Sequence, residues 1–464
     1  MARIAPVNAK GTRDFLPRDL VRRNRVFSLL RETFEHHGYE PIETPSVENT
    51  NVLEGKYGEE GDRLLFRILK RGESLEKAAR MLLAEADGDH SAAALSRLFS
   101  DEALRYDLTV PFARVIAAHQ NDIVFPFRRY QMQPVWRADR PQRGRYREFY
   151  QCDVDCVGSR SMTVDAEMVA IYCEVFTRLG YTNFVTRVNH RGLLNSLMAV
   201  SAVPEDKRVA TMTAMDKLDK IGLDGVREEL VKLALGDASV DQLIEMIGLS
   251  GTPQAMLAAL RPMVADSTEG VEALDELAEV FEYAAAMGVP TERVSFDMSL
   301  VRGLSYYTGP IFETVLTDMQ FGSLGGGGRY DRLIGQFTGR DLPCVGISFG
   351  LERIFDTLSE QDANEEPATT TQALVTLFSR ETFAHAFALA RDLRAAGICT
   401  EVYTEPKKLS TQLTFAKNKG IPLAVILGPE EIAAGAVVLR DMRTSTQRAV
   451  PSADAAAQAQ ALLR

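Results

Sequence analysis

Residues 127–158 read FRRYQMQPVWRADRPQRGRYREFYQCDVDCVG. Two runs rich in β-formers, RRYQMQPVW and REFYQCDVDCV, flank the loop RADRPQRGRY, and Pro141 and Gly144 mark its turn. The segment is predicted to be a long β-hairpin. It gathers seven arginines in its first 21 residues, although the whole chain carries a net charge of -11. An acidic protein that focuses cations at one hairpin is suited to a small polyanion and a local nucleic-acid contact. In QCDVDCV, Gln151, Asp153 and Asp155 share one face of a strand. Acids in an otherwise apolar run are costly to bury unless paired, so they are recognition candidates; a water-facing edge strand is the plain alternative.

Outward from the hairpin, the order of elements is mixed. Residues 19–37 carry Leu20, Val26, Leu29, Leu30 and Phe34 at helical spacing and stop at Gly38, with Tyr39 opening an extended segment. Residues 71–103 read as a helical excursion. LRYDLTVPFARVIA then gives a short strand broken by Pro111, followed by a helix. TVDAEMVAIYCEVFTRLGY places Met168, Ile171, Tyr172, Val175 and Leu179 on one helical face. Residues 203–290 are helical in pattern and carry no concentrated chemistry. Strands return at VSFDMSL, PIFETVL and CVGISFG. QDANEEPATTT (361–371) reads as a linker, and beyond it strand and helix alternate at βαβ spacing, a separate α/β domain.

At 464 residues, with 45 % hydrophobic and 25 % charged content, the chain supports two or three domains with ample core. Its start, MARIAPVNAKGTRDFLPRD, has charge and proline where a secretory signal is apolar, and no run approaches the roughly 18 apolar residues of a membrane span. A cytoplasmic location, away from membranes, is expected. Five scattered cysteines and six histidines show no disulfide, zinc or HExxH spacing, and no Ser-His-Asp set emerges. GSLGGGGRYDRLIGQF (322–337) lacks both common nucleotide fingerprints and by itself reads equally as a tight turn or as a close approach to a ligand. In VRGLSYYTG (301–309), Tyr306 and Tyr307 would point to opposite faces if the segment were a strand, so that only one would easily line a pocket.

In order and spacing, GTRDFLP, LRYDLTVPFAR, VWRADRPQRGRYREFYQCDVD, RGLSYYTG, GGGGRYD and VGISFGLERI together resemble the histidyl-tRNA synthetases, a family of class II aminoacyl-tRNA synthetases. The resemblance covers essentially the whole chain. It implies an α+β fold: an antiparallel-sheet catalytic domain (1–190 and 291–360) with a helical insertion (191–290), a linker (361–371) and a C-terminal α/β anticodon-binding domain (372–464). It also implies ligation of histidine to tRNA(His) through a histidyl-adenylate, with ATP as substrate, Mg2+, and a homodimer built through residues 20–48.

By the same resemblance, Arg137 and Arg302 are the catalytic cations on the α-phosphate, and Arg145 holds the terminal phosphates. Arg353 lies over the adenine opposite Phe149, with Asp139 and Gln142 orienting loop and nucleotide. Asp107, Thr109 and Gln151 receive the histidine ammonium, while Asp155 and Tyr307 grip the imidazole; Arg302 and Tyr306 complete the histidine pocket. Asp107 and Asp155 stand where many bacterial relatives carry glutamate. Ser305 departs from the family's usual aspartate, which bears on how firmly Arg302 is set. No editing domain is apparent. In the tail, Lys407, Lys408, Gln412 and Lys417 are offered to unstacked anticodon bases and phosphates. The alternative is a non-catalytic, regulatory or histidine-binding paralogue, which such families contain.

Overall fold

A computed structural model describes residues 4–84, 90–142, 144–301, 306–318, 322–361 and 369–463. Arg302 and Ser305 lie outside the described residues, as does most of the expected linker. The chain divides into two compact units, Met1–Arg13 with Phe27–Leu358 and Asp14–Val26 with Ser359–Arg464.

The first unit is built on an eight-stranded sheet of β1 (Glu40–Pro41), β2 (Phe127–Trp136), β3 (Glu148–Val157), β4 (Phe184–His190), β5 (Val294–Phe296), β6 (Pro310–Leu316), β7 (Gly325–Arg329) and β8 (Cys344–Gly350). Their spatial order is β1-β2-β3-β8-β7-β6-β4-β5, with parallel pairing only at its two edges. β2 and β3 form the arginine-bearing hairpin, paired in register from Phe127↔Val157 to Trp136↔Glu148. Period two then sorts side chains: Cys152, Val154 and Phe349 go to one face, Gln151, Asp153 and Asp155 to the other.

The apolar face is covered by α1 (Met162–Arg178), which buries Ile171, Tyr172, Val175 and Phe176; the Tyr172 and Phe176 rings lie 4.8 and 5.8 Å from Phe349. Asp165 in the first turn of α1 counters the helix dipole, and Ser161 caps its amide end. The glycine run is a strand, not a turn: Gly325–Arg329 pairs with β6 on one side and β8 on the other. Glycine is a poor strand former, but here packing overrides propensity. A Cβ on Gly325 would sit 2.6 Å from Tyr172 Cε1, so only glycine lets the helix approach so closely.

Before the hairpin, the helix Thr109–His119 starts ahead of Pro111 rather than after it. Proline is tolerated there because first-turn amides have no intrahelical acceptor. The helical excursion resolves into Glu73–Ala84 and Ala92–Phe99, and residues 191–286 form a run of helices. The tail is a five-stranded sheet. Three parallel strands (Ala373–Val375, Thr400–Val402, Leu423–Ile426) are extended by the antiparallel pair Ala436–Asp441 and Gln447–Pro451. The helices Phe383–Ala395 and Ala455–Leu463 close its apolar core.

Candidate active site

The polar face of the first unit's sheet forms the floor of a cavity of about 600 Å³. Register places its side chains: Arg129 opposite Asp155, Gln131 opposite Asp153 and Gln133 opposite Gln151 across β2/β3, then Gly346, Ser348 and Gly350 opposite the same three on β8. The acids therefore lie on interior strands and are buried, not on a water-facing edge. Of the residues singled out by sequence, Asp107, Thr109, Arg137, Asp139, Arg145, Phe149, Gln151, Asp155, Tyr306, Tyr307 and Arg353 line this one cavity. Both tyrosines do so because residues 306–309 are not a strand: Tyr306 is in a turn, Gly309 in a bend, and residues 307–308 are irregular. Gln142 is not on the lining. Its backbone exchanges hydrogen bonds of 3.1 and 2.9 Å with Arg145, which shapes the hairpin tip.

One end of the cavity is acidic. Asp155 pairs with the fully buried Arg129 at 2.8 Å and accepts a hydrogen bond from Tyr330 Oη. Gly346 must be glycine, since a Cβ there would lie 1.8 Å from Asp155 Oδ1. Asp107 Oδ1 accepts from Tyr57 Oη at 2.9 Å and from the Val110 amide at 3.1 Å. Burial pushes the carboxyls of Asp107, Asp153 and Asp155 upward, against the lowering field of Arg129. Asp107 Oδ2, Gln151 Oε1 and Asp153 Oδ1 are buried acceptors without a hydrogen-bond partner. Such atoms are expensive to leave unmatched, so this end suits a small cation carrying several N–H donors.

The other end is cationic. The Arg137 guanidinium lies 4.3 Å from the Tyr106 ring centroid and 5.2 Å from that of Phe149, and its Nε donates to the Tyr106 carbonyl at 3.0 Å. Arg145 stands half-exposed, 3.8 Å from Asp139. Arg353 donates to the carbonyls of Ser323 at 2.6 Å and Gly144 at 3.3 Å, tying the hairpin tip to the loop before β7.

Sequence reasoning missed the supporting groups. Arg129 and Tyr330 hold Asp155, Tyr57 holds Asp107, and Arg13 clasps Glu352 and Asp356 while donating to Tyr146 Oη at 2.9 Å. Arg129 alone had a signal: a strand arginine at even spacing from Gln131 and Gln133 must face whatever β3 presents there. The others come from distant segments and left none. In the tail, Lys407, Lys408 and Lys417 are exposed. Gln412 is not available to RNA: it is fully buried, accepting from the Leu377 amide at 2.9 Å and donating to the carbonyls of Leu377 and Lys407 at 2.8 Å.

The chain is similar to known proteins along nearly its whole length. Residues 11–81 and 83–354 match the family model described as histidyl-tRNA synthetase, and residues 372–462 match that of the anticodon binding domain. The histidine–tRNA ligase of Porphyromonas gingivalis is 44% identical over 453 residues, covering 97% of this chain and 98% of that one. The ligase of Cytophaga hutchinsonii is 42% identical over 443 residues, covering 95% and 96%. The crystal structure of histidyl-tRNA synthetase from Nostoc sp. PCC 7120 superposes with a TM-score of 0.85 at 30% identity, covering 99% of this chain and all of that one. An ATP phosphoribosyltransferase regulatory subunit/histidyl-tRNA synthetase from Bacillus halodurans shares the fold, with a TM-score of 0.70 at 24% identity. With the acidic and cationic ends of one cavity set on a class II sheet, and with similarity along nearly its entire length, the chain belongs to the histidyl-tRNA synthetase family.

Proposed function

We propose that the chain charges tRNA(His) with histidine in two steps within this cavity. A carboxylate oxygen of histidine attacks the α-phosphorus of ATP, the bond to pyrophosphate breaks, and histidyl-adenylate forms. A hydroxyl of the terminal tRNA ribose then attacks the acyl carbon, and AMP leaves. Negative charge builds on the phosphate oxygens in the first step, so pre-placed cations are the main catalytic device. Arg137, fixed between aromatic rings, takes the α-phosphate, and Arg302, outside the described residues, is the second cation there by family resemblance. Arg145 takes the terminal phosphates. Arg353 and Phe149 embrace the adenine, with Asp139 and Gln142 shaping the loop around it.

The amino acid enters ammonium first toward Asp107, Thr109 and Gln151, while its imidazole meets Asp155 with Tyr306 and Tyr307. The observation that carries this reading is the row of unpartnered acceptors Asp107 Oδ2, Gln151 Oε1 and Asp153 Oδ1 in the cavity that also holds Arg137. A ligand lacking donors would leave those atoms unmatched, and such a penalty can supply about 10⁴- to 10⁵-fold discrimination without an editing step. Among the described residues no group of three acidic, histidine or cysteine side chains is set to hold a metal by itself. Mg2+ would bridge phosphate oxygens and neutralise part of the triphosphate's charge. Homodimer assembly through residues 20–48 and a cytoplasmic location complete the proposal; no helix of the described residues is long and apolar enough to cross a membrane.

Histidine-dependent ATP–pyrophosphate exchange is the deciding assay. Arg137→Ala should lower it roughly 10²- to 10³-fold, the usual cost of one transition-state donor, with an unchanged unfolding curve. Wild-type protein without exchange on any amino acid would leave only the non-catalytic paralogue.

A further inference from the structure

Asp107 has two oxygens in different circumstances. Oδ2 has no partner, whereas Oδ1 is held by the Tyr57 phenol at 2.9 Å and the Val110 amide at 3.1 Å. Tyr57 precedes the short helix Gly58–Arg63, remote in sequence from every other part of the amino-acid end. It is buried, and its ring packs on Tyr106 with centroids 4.4 Å apart. Burial keeps the phenol protonated, so toward the carboxylate it donates. A carboxylate on a short side chain turns about one torsion, and two donors on one oxygen stop that rotation.

Resting on the synthetase reading, we propose that Tyr57 is a positioning residue for the histidine ammonium: it pins one oxygen of Asp107 and thereby presents the other to the substrate. Tyr57 acts through Asp107 and does not itself meet the reacting atoms. The carboxylate is also faced by the cations Arg129 and Arg137, the acids Asp153 and Asp155, and the phenol of Tyr306. Among the described residues, Tyr57 and the Val110 amide hydrogen-bond to it, so loss of the phenol should be felt as disorder of the free oxygen and as easier protonation.

Tyr57→Phe deletes the hydroxyl and keeps the ring stack. In pyrophosphate exchange the histidine KM should rise roughly ten- to a hundredfold, the cost of one hydrogen bond to a buried charge, while kcat and the ATP KM stay within about twofold. The variant-to-wild-type ratio of histidine KM should be larger at pH 6 than at pH 8, because the phenol favours the ionised acid. The second arm uses imidazolepropionate, which has the imidazole and carboxylate but no ammonium; its inhibition constant should be the same in both proteins. An unchanged histidine KM would overturn the proposal. So would equal weakening of histidine and imidazolepropionate, which would mean that the phenol shapes the whole pocket. Wild-type protein inactive with histidine would reject the synthetase reading itself.

Discussion

The eight-stranded sheet of the first unit and the five-stranded sheet of the tail use their interiors in opposite ways. In the first, Arg105, Arg129, Arg329, Asp107, Asp153, Asp155 and Asp165 are all buried. In the tail, among the described residues, Asp441 is the one buried carboxylate, and Arg443, two residues along, pairs with it at 2.8 Å; the buried apolar cluster is Val, Leu, Ile and Ala, and the other buried polar side chains, Thr376, Thr382 and Gln412, are uncharged. Burying charge is costly, and a fold that needed only stability would use apolar residues. The first sheet therefore gives up stability to pre-orient polar groups, and the tail keeps its chemistry on the surface, where lysines can move.

The comparison breaks first at Arg129. Arg129→Ala would leave Asp155 and Asp153 as unbalanced buried acids, and a loss of about 3–5 kcal/mol in urea unfolding is expected, together with loss of histidine-dependent exchange. A variant as stable as wild type would mean that the acids are already neutral in the free protein.

The tail's counterpart is Gln412. Gln412→Ala should cost about 1–3 kcal/mol by stranding the Leu377 amide and carbonyl, seen as an earlier tail transition, with pyrophosphate exchange unchanged. Loss of exchange in that variant would refute a purely local role.

The smallest effect lies on the first unit's exterior, where charge is cheap. His37, 3.9 Å from Glu167 and hydrogen-bonded to Glu174 at 2.9 Å, has its pKa raised above 6.5. A folded pKa above the unfolded one gives stability that is full below about pH 6.5 and lost as pH rises through the folded value. Wild-type protein should thus lose up to about 1 kcal/mol relative to His37→Gln between pH 6 and pH 8.5, read from paired urea curves.

Much of this was legible in the chain. The hairpin of residues 127–157 is marked by its turn residues and period-two runs, and α1 by its apolar face, because both signals are local. Asp153 and Asp155 stand out since acids break a β-patterned run. The glycine run reads equally as a turn or as a close approach to a ligand; Gly325, Gly326 and Gly327 do line the cavity, but as a strand, a character that comes from two neighbouring strands and from Tyr172 above it. Gln412 misleads, because its periodicity does not reveal that its face of the helix turns inward onto Leu377.

The sequence by itself determined the hairpin and the clustering of cations and acids, since local pattern is a property of the chain, and its motifs carried the family resemblance that implied the class of fold and the residue roles. Only the tertiary structure decided which partner each buried charge received: Arg129 and Tyr330 for Asp155, Tyr57 for Asp107, Arg13 for Glu352. Those pairings join residues tens to hundreds apart, and a buried charge takes its partner from what folding brings within hydrogen-bond reach, a distance no local pattern encodes.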